Sequence, residues 1–252
     1  MKNILFKSLL VLTLAGVVSS CSDVIEAPTK SSLDENVIFS TPVLAEGAVM
    51  GIHQSFSETN SYRGRFIPFY GLNTDLEWWN SSENTTDDRA LLMGYNPIAG
   101  STQMNTENNA WAKMYEGIER ANICIRGLRA YGDVENNKEL AQLLGEALTL
   151  RAFIYVDLMK AWGDVPARFE PLTTETLYLP KSDRDVIYKQ IIADLEEAAT
   201  LVAWPKENAA TQSTERVNKA FVKGFLARTC LYAAGYSQRA DGSIRRSNDP
   251  EL

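Results

Sequence analysis

The segment Tyr70-Gly71-Leu72-Asn73-Thr74-Asp75-Leu76-Glu77-Trp78-Trp79-Asn80 sets two adjacent tryptophans among carboxylate and amide side chains. That combination suits a pyranose ring, whose C–H face stacks on an indole while its hydroxyls bond to carboxylate and amide. Neighbouring residues of an extended loop point to opposite sides, so Trp78 and Trp79 do not both face a core. One indole is therefore expected to be exposed, with Asp75 and Asn80 orienting a ligand's hydroxyls, while the other is free to anchor the loop. Arg89, Tyr95 and Asn96 are further binding candidates along the same stretch.

Catalytic constellations are missing from the sequence. Asp75 and Glu77 form a carboxylate pair, but glycoside hydrolysis needs a set separation that two nearby loop residues do not guarantee. His53 is the only histidine, which removes a Ser-His-Asp triad and a His-rich metal site. It falls in a helical pattern and is expected to be a packing or surface residue. No HExxH, G-x-S-x-G or P-loop pattern occurs. The expectation is a binding protein, not an enzyme, with no catalytic residue, no metal ligand and no cofactor.

The first 21 residues read as a lipoprotein signal. Lys2 and Lys7 precede an apolar run, Leu9 to Val18, too short to cross a bilayer as a helix. Ser19-Ser20-Cys21 then places small residues before a cysteine, with Val18 where leucine is usual. Residues 1–20 are expected to be removed, Cys21 to carry lipid, and residues 21–36, polar around Pro28, to tether the body to the membrane. Removal of Lys2 and Lys7 takes the charge from −7 to 23 minus 32, or −9. Such a chain repels phosphate backbones, so nucleic acid is not an expected partner.

The elements that must position the loop are helical, and the fold class is all-α. Thr41-Pro42 opens the first pattern, with Val43, Ala48, Ile52 and Phe56 on one face. A long irregular stretch from about 60 to 107 follows. Trp111, Tyr115, Ile118, Asn122 and Ile125 mark the second helix, which Gly132-Asp133 breaks. The third runs from about Asn137 to Trp162, is apolar nearly all round and ends at Gly163 with Pro166 beyond. The fourth starts at the caps Ser182-Asp183 and carries Ile187, Ile191, Leu195, Ala198 and Val202. The fifth, Val217 to Ala234, shows Phe221, Gly224, Phe225, Ala227, Leu231 and Tyr232. Small residues at contact points, such as Gly145, Ala147, Ala220 and Ala227, suggest tetratricopeptide-like helix pairs in a right-handed superhelix, with the long loop as an insertion. Cys124 and Cys230 sit among apolar neighbours as buried free thiols, although a disulfide between them stays open.

Three of these segments resemble the SusD/RagB family of nutrient-binding outer-membrane lipoproteins. Gly145-Glu146-Ala147-Leu148-Thr149-Leu150-Arg151-Ala152-Phe153-Ile154-Tyr155-Val156-Asp157-Leu158, continued by Trp162-Gly163-Asp164-Val165-Pro166, is similar to that family's E-A-x-x-L-R-A-F-x-Y…W-G-D-V-P signature. Trp111 to Asn122 resembles its W-x-x-x-Y-x-x-I-x-x-A-N helix, and Arg216 to Tyr232 its later R-x-x-K…L-A-R-x-x-L-Y helix. The resemblance implies a cell-surface, outer-membrane protein that captures oligosaccharide, or less often peptide, for a partner TonB-dependent outer-membrane transporter. A helical protein-interaction lipoprotein without a sugar ligand is the rival. Family members run to about twice this length, so residues 37–252 are expected to be the N-terminal portion of such a helical domain. Glu146 and Arg151 are charges in an otherwise apolar helix and each needs a partner if buried, as fastenings or, for Arg151, as a ligand clamp.

Overall fold

A computed structural model describes residues 33–71, 74–77, 86–105 and 108–252. Glu35–Leu252 form one compact unit. Its helices are α1 (Glu35–Ser40), α2 (Pro42–Ser57), α3 (Ile67–Gly71), α4 (Asp88–Met93), α5 (Ala110–Tyr131), α6 (Lys138–Trp162), α7 (Arg184–Leu201) and α8 (Lys219–Ala234), with a π-helical turn Tyr62–Phe66 before α3. A two-stranded antiparallel hairpin, β1 (Ser237–Gln238) and β2 (Ile244–Arg245), follows α8. The long helices α2, α5, α6, α7 and α8 pack in succession as tetratricopeptide-like pairs.

Helix α6 is the centre. Asn137 caps it by accepting from the backbone N–H of Glu139 and Leu140. Nearly every side chain from Leu140 to Met159 is buried, because α2, α5 and α7 all pack on it. Gly145 makes the approach of α7 feasible: a Cβ there would lie 2.5 Å from Val202 Cγ1. The helix stops at Gly163, whose φ of +76° favours glycine.

The charges expected to need partners have them. Glu146, fully buried, accepts from Arg216 Nε at 2.8 Å and Nη2 at 2.7 Å and lies 2.7 Å from His53 Nε2. His53 is thus more than a packing or surface residue, since it joins α2 to the α6 carboxylate. Arg151 donates from Nε and Nη2 to Asp194 and from Nη1 to Asn122 Oδ1 and the Phe169 carbonyl. With Nε, Nη1 and Nη2 all engaged by protein, Arg151 fastens α5, α6 and α7 together.

Three expectations about faces and regularity differ from the structure. In α2 the buried stripe is Ala45, Val49 and Ile52, while Val43, in the first turn, is 76% exposed. In α8 the buried stripe is Val222, Phe225, Thr229 and Ala233, and Phe221, Leu231 and Tyr232 face outward. Thr229 tolerates burial because its hydroxyl donates to the Phe225 carbonyl one turn back. The stretch 60–107 is also more regular than expected. The π-helical turn buries Tyr62 and Phe66, and the Phe56 and Tyr62 rings meet at 4.7 Å.

Cys124 is buried and Cys230 half-buried, both free. Burial pushes the Cys124 thiol up to about 12, which keeps it protonated and inert at neutral pH. Among the described residues, no helix is long and apolar enough to cross a membrane.

Candidate functional site

Helix α4 and the turn after it carry three of the candidate binding residues. Asp87 caps α4: its Oδ1 accepts from the backbone N–H of Arg89 at 2.8 Å. The Arg89 guanidinium folds back on the same carboxylate, Nη2 to Oδ2 at 2.7 Å and Nε to Oδ1 at 3.1 Å. These bonds hold the Asp87 carboxyl down at about 2, so the pair is fully charged at any ordinary pH. Asp88, the first helical residue, accepts from the Thr102 N–H at 2.7 Å and hydroxyl at 2.9 Å, which ties the far end of the loop back to α4.

The C-terminal end of α4 is a tight reversal. Gly94 N–H donates to the Ala90 carbonyl and Asn96 N–H to the Leu91 carbonyl. Between them Tyr95 takes φ = +59°, a left-handed conformation that costs a non-glycine residue on the order of 1 kcal/mol. Its side chain is 75% exposed, and Asn96 beside it is also exposed. A strained backbone that presents an aromatic ring to solvent is an arrangement met at ligand-binding turns.

Core aromatics anchor the loop. Trp162, at the end of α6, donates its indole N–H to Asn105 Oδ1 at 2.7 Å and meets Trp111 edge-on at 5.3 Å. It also stacks against Phe66, the last residue of the π-helical turn, at 6.4 Å. Asn109 accepts from Arg65 Nε at 3.1 Å and donates to the Thr102 carbonyl at 2.8 Å. Both ends of the loop are thus fixed to the helical body, and α3 packs against α4.

Asp75 sits in a separate turn, where the Thr74 hydroxyl accepts from the N–H groups of Leu76 and Glu77, and its carboxylate is exposed. Arg89 thus stands in the first turn of α4, Tyr95 and Asn96 follow its C-terminal end, and Asp75 sits on its own exposed turn. Trp78, Trp79 and Asn80, and likewise Cys21, lie outside the described residues. Among the described residues, no cluster of His, Cys, Asp and Glu could hold a metal ion.

The chemically notable residues absent from the sequence reading are Lys160, Lys181, Arg184 and Arg239, which converge on a cavity of about 430 Å³ beside the end of α6. They come from three separate segments, the end of α6, the entry into α7 and the hairpin after α8, and the only local signal is that basic residues flank the Trp162-Gly163-Asp164 turn.

Residues 70–231, more than half of the chain, match the model of a SusD-like family described as starch-binding and associating with the outer membrane. Among curated proteins, SusD-like protein P38 of Formosa agariphila is 27% identical over 238 residues, covering 93% of this chain and 43% of that protein. SusD-like protein P25 of the same organism is 24% identical over 200 residues, 77% of this chain and 38% of the relative. The chain thus spans less than half the length of these curated relatives. Among solved structures, a SusD homologue from Bacteroides thetaiotaomicron superposes with a TM-score of 0.66 at 18% identity, over 84% of this chain and 40% of that one. A laminarin-binding SusD-like protein superposes with a TM-score of 0.59 at 19% identity, over 75% of this chain and 40% of that one.

Proposed function

This chain belongs to the SusD-like (SusD/RagB) family of starch-binding proteins that associate with the outer membrane, and we propose that it captures oligosaccharides at the cell surface and passes them to a TonB-dependent outer-membrane transporter. The observation that carries this reading is the family match across residues 70–231, which spans the anchored loop and the helices that hold it. Tyr95, strained and exposed beside Asn96, gives the loop an aromatic platform next to an amide. Asp75, Arg89, Trp78, Trp79 and Asn80 complete the set, the two tryptophans as stacking surfaces and the polar groups as hydroxyl partners. Cys21 carries the lipid that holds the body at the membrane, with residues 21–36 as the tether. The role is binding and delivery, and no reaction is assigned to the loop.

The test is calorimetry of the protein with a panel of neutral oligosaccharides, on wild type, Trp78→Ala and Trp79→Ala, each with a melting curve. One variant should keep its stability and bind about tenfold more weakly, the loss of one stacking contact together with the area it buries. If wild type binds no glycan, or both variants bind normally, the loop is not the site. Cys21→Ala should move the protein from the detergent phase to the aqueous phase. Purification from gently solubilised membranes should bring down a large β-barrel protein.

A further inference from the structure

The cavity of about 430 Å³ beside the end of α6 lies where three elements meet: the last turn of α6, the first turn of α7, and the hairpin after α8. Its charged lining is one-sided. Lys160, Lys181, Arg184 and Arg239 bring four cations and Asp164 one carboxylate, in a chain whose net charge is −7. Trp162 forms an aromatic wall.

Each group is held differently. Arg184 donates Nε to Asp164 Oδ1 at 3.1 Å, and Gly163 makes room for it: a Cβ there would stand 2.8 Å from Arg184 Nη2. Lys160 reaches toward Asp157 at 3.6 Å and lies over the Tyr232 ring. Lys181 is exposed and makes no ion pair among the described residues. Arg239 is only 7% exposed, pinned by the hairpin, where its N–H donates to the Ser243 carbonyl. Its Nη1 donates to Asp185 Oδ1 at 2.7 Å, with Asp183 at 3.7 Å, and neither aspartate lines the cavity.

The Nε of Arg239 is buried and has no hydrogen-bond partner among the described residues. A buried donor on a guanidinium costs free energy when left unmet. An oxyanion entering this cavity meets the charge of Lys181, with the guanidinium groups of Arg184 and Arg239 in the same lining.

We propose that this cavity binds the anionic substituent of an acidic saccharide, a sugar carboxylate or sulfate ester, beside the aromatic wall of Trp162. The inference rests on the glycan-binding reading and adds a second, charge-selective site beside Trp162. Its consequence is a preference for acidic over neutral chains.

The experiment is calorimetry of the full chain with four probes: an oligogalacturonate, a sulfated oligosaccharide, a neutral oligosaccharide of the same size, and sodium sulfate. The expected result is that one acidic oligosaccharide binds, more weakly as salt is raised. Lys181→Ala should weaken that binding about tenfold and leave neutral binding unchanged. Arg239→Lys, which keeps a charge beside Asp185 but removes the Nε donor, should weaken it as well, with a melting curve to establish folding. Whichever acidic oligosaccharide binds identifies the substituent. Unchanged affinity in both variants overturns the proposal, as does binding of sodium sulfate as tightly as of either acidic oligosaccharide. Neutral binding without acidic binding overturns this site alone, whereas no binding of any oligosaccharide overturns the glycan-binding reading with it.

Discussion

Glu146 and Arg216 stand 70 residues apart in sequence, yet both carboxylate oxygens of the one receive nitrogens of the other. Arg216 also donates Nη1 to Glu46 at 2.6 Å, so a single guanidinium joins α2, α6 and the segment leading into α8. Burial pushes the Glu146 carboxyl up, but the bonds from His53 and Arg216 outweigh it and hold the group below the usual glutamate value. A group with a depressed folded pKa contributes stability that is present above its unfolded value of about 4.3 and lost as pH falls through the folded value. Wild-type melting temperature should therefore fall below about pH 4.3 partly through Glu146, and Glu146→Gln should flatten that part of the profile. Arg216→Ala leaves a buried carboxylate half-partnered and should cost about 3–5 kcal/mol at neutral pH. Melting curves across the acid range, with each variant, check both statements.

Arg151 and Asp194 form a second interior pair, with relative side-chain exposures of 3% and 2%. Arg151→Met should destabilise by about 3–5 kcal/mol because Asp194 keeps its charge in the interior. Arg151→Met combined with Asp194→Leu should recover much of that loss, since a buried ion pair is often replaceable by apolar residues of similar volume. Urea denaturation of the two single variants and the double variant gives the cycle, and additive losses would contradict the pairing.

Gly127 in α5 is the notch into which α1 docks. A Cβ at Gly127 would stand 2.1 Å from Phe39 Cδ2, and Phe39 is 2% exposed. Gly127→Ala should expel the Phe39 ring and release α1, at a cost approaching the roughly 3–5 kcal/mol of Phe39→Ala. Limited proteolysis should then cut near Ser40 and Thr41 in Gly127→Ala and leave wild type intact at that point.

Tyr95→Gly separates strain from use. Glycine takes the φ of +59° freely, so the variant should gain up to about 1 kcal/mol of stability. It removes the exposed ring, so glycan affinity should drop by about tenfold. A stabilised variant with full affinity would remove Tyr95 from the binding surface.

The sequence made some of this legible and hid the rest for physical reasons. In α7 the cap Asp183 and the stripe Ile187, Ile191, Leu195, Ala198 and Val202 stood out because polar residues fill the other faces, and all five stripe residues are buried. In α8 apolar residues occupy more than one face, so periodicity could not choose between Phe221-Leu231 and Val222-Phe225-Ala233, and contact with α7 decided it. Helix α1 has only six residues, too few for a period to show. The need of Glu146 and Arg151 for partners was readable from charges in an apolar helix, but Arg216 and Asp194 were not, because pairing across 70 and 43 residues leaves no local trace. The same holds for the cavity beside Trp162, whose cations arrive from three segments.

Enclosure of α6 on three sides by α2, α5 and α7 also sets how the molecule breathes. Amides in the middle of α6 have no route to solvent short of losing the whole unit, so their hydrogen exchange should report the global unfolding free energy. Helix α8, with Phe221, Leu231 and Tyr232 turned outward, should exchange by smaller openings. The rate difference between these two helices measures how far the C-terminal end of the described body loosens independently of its centre.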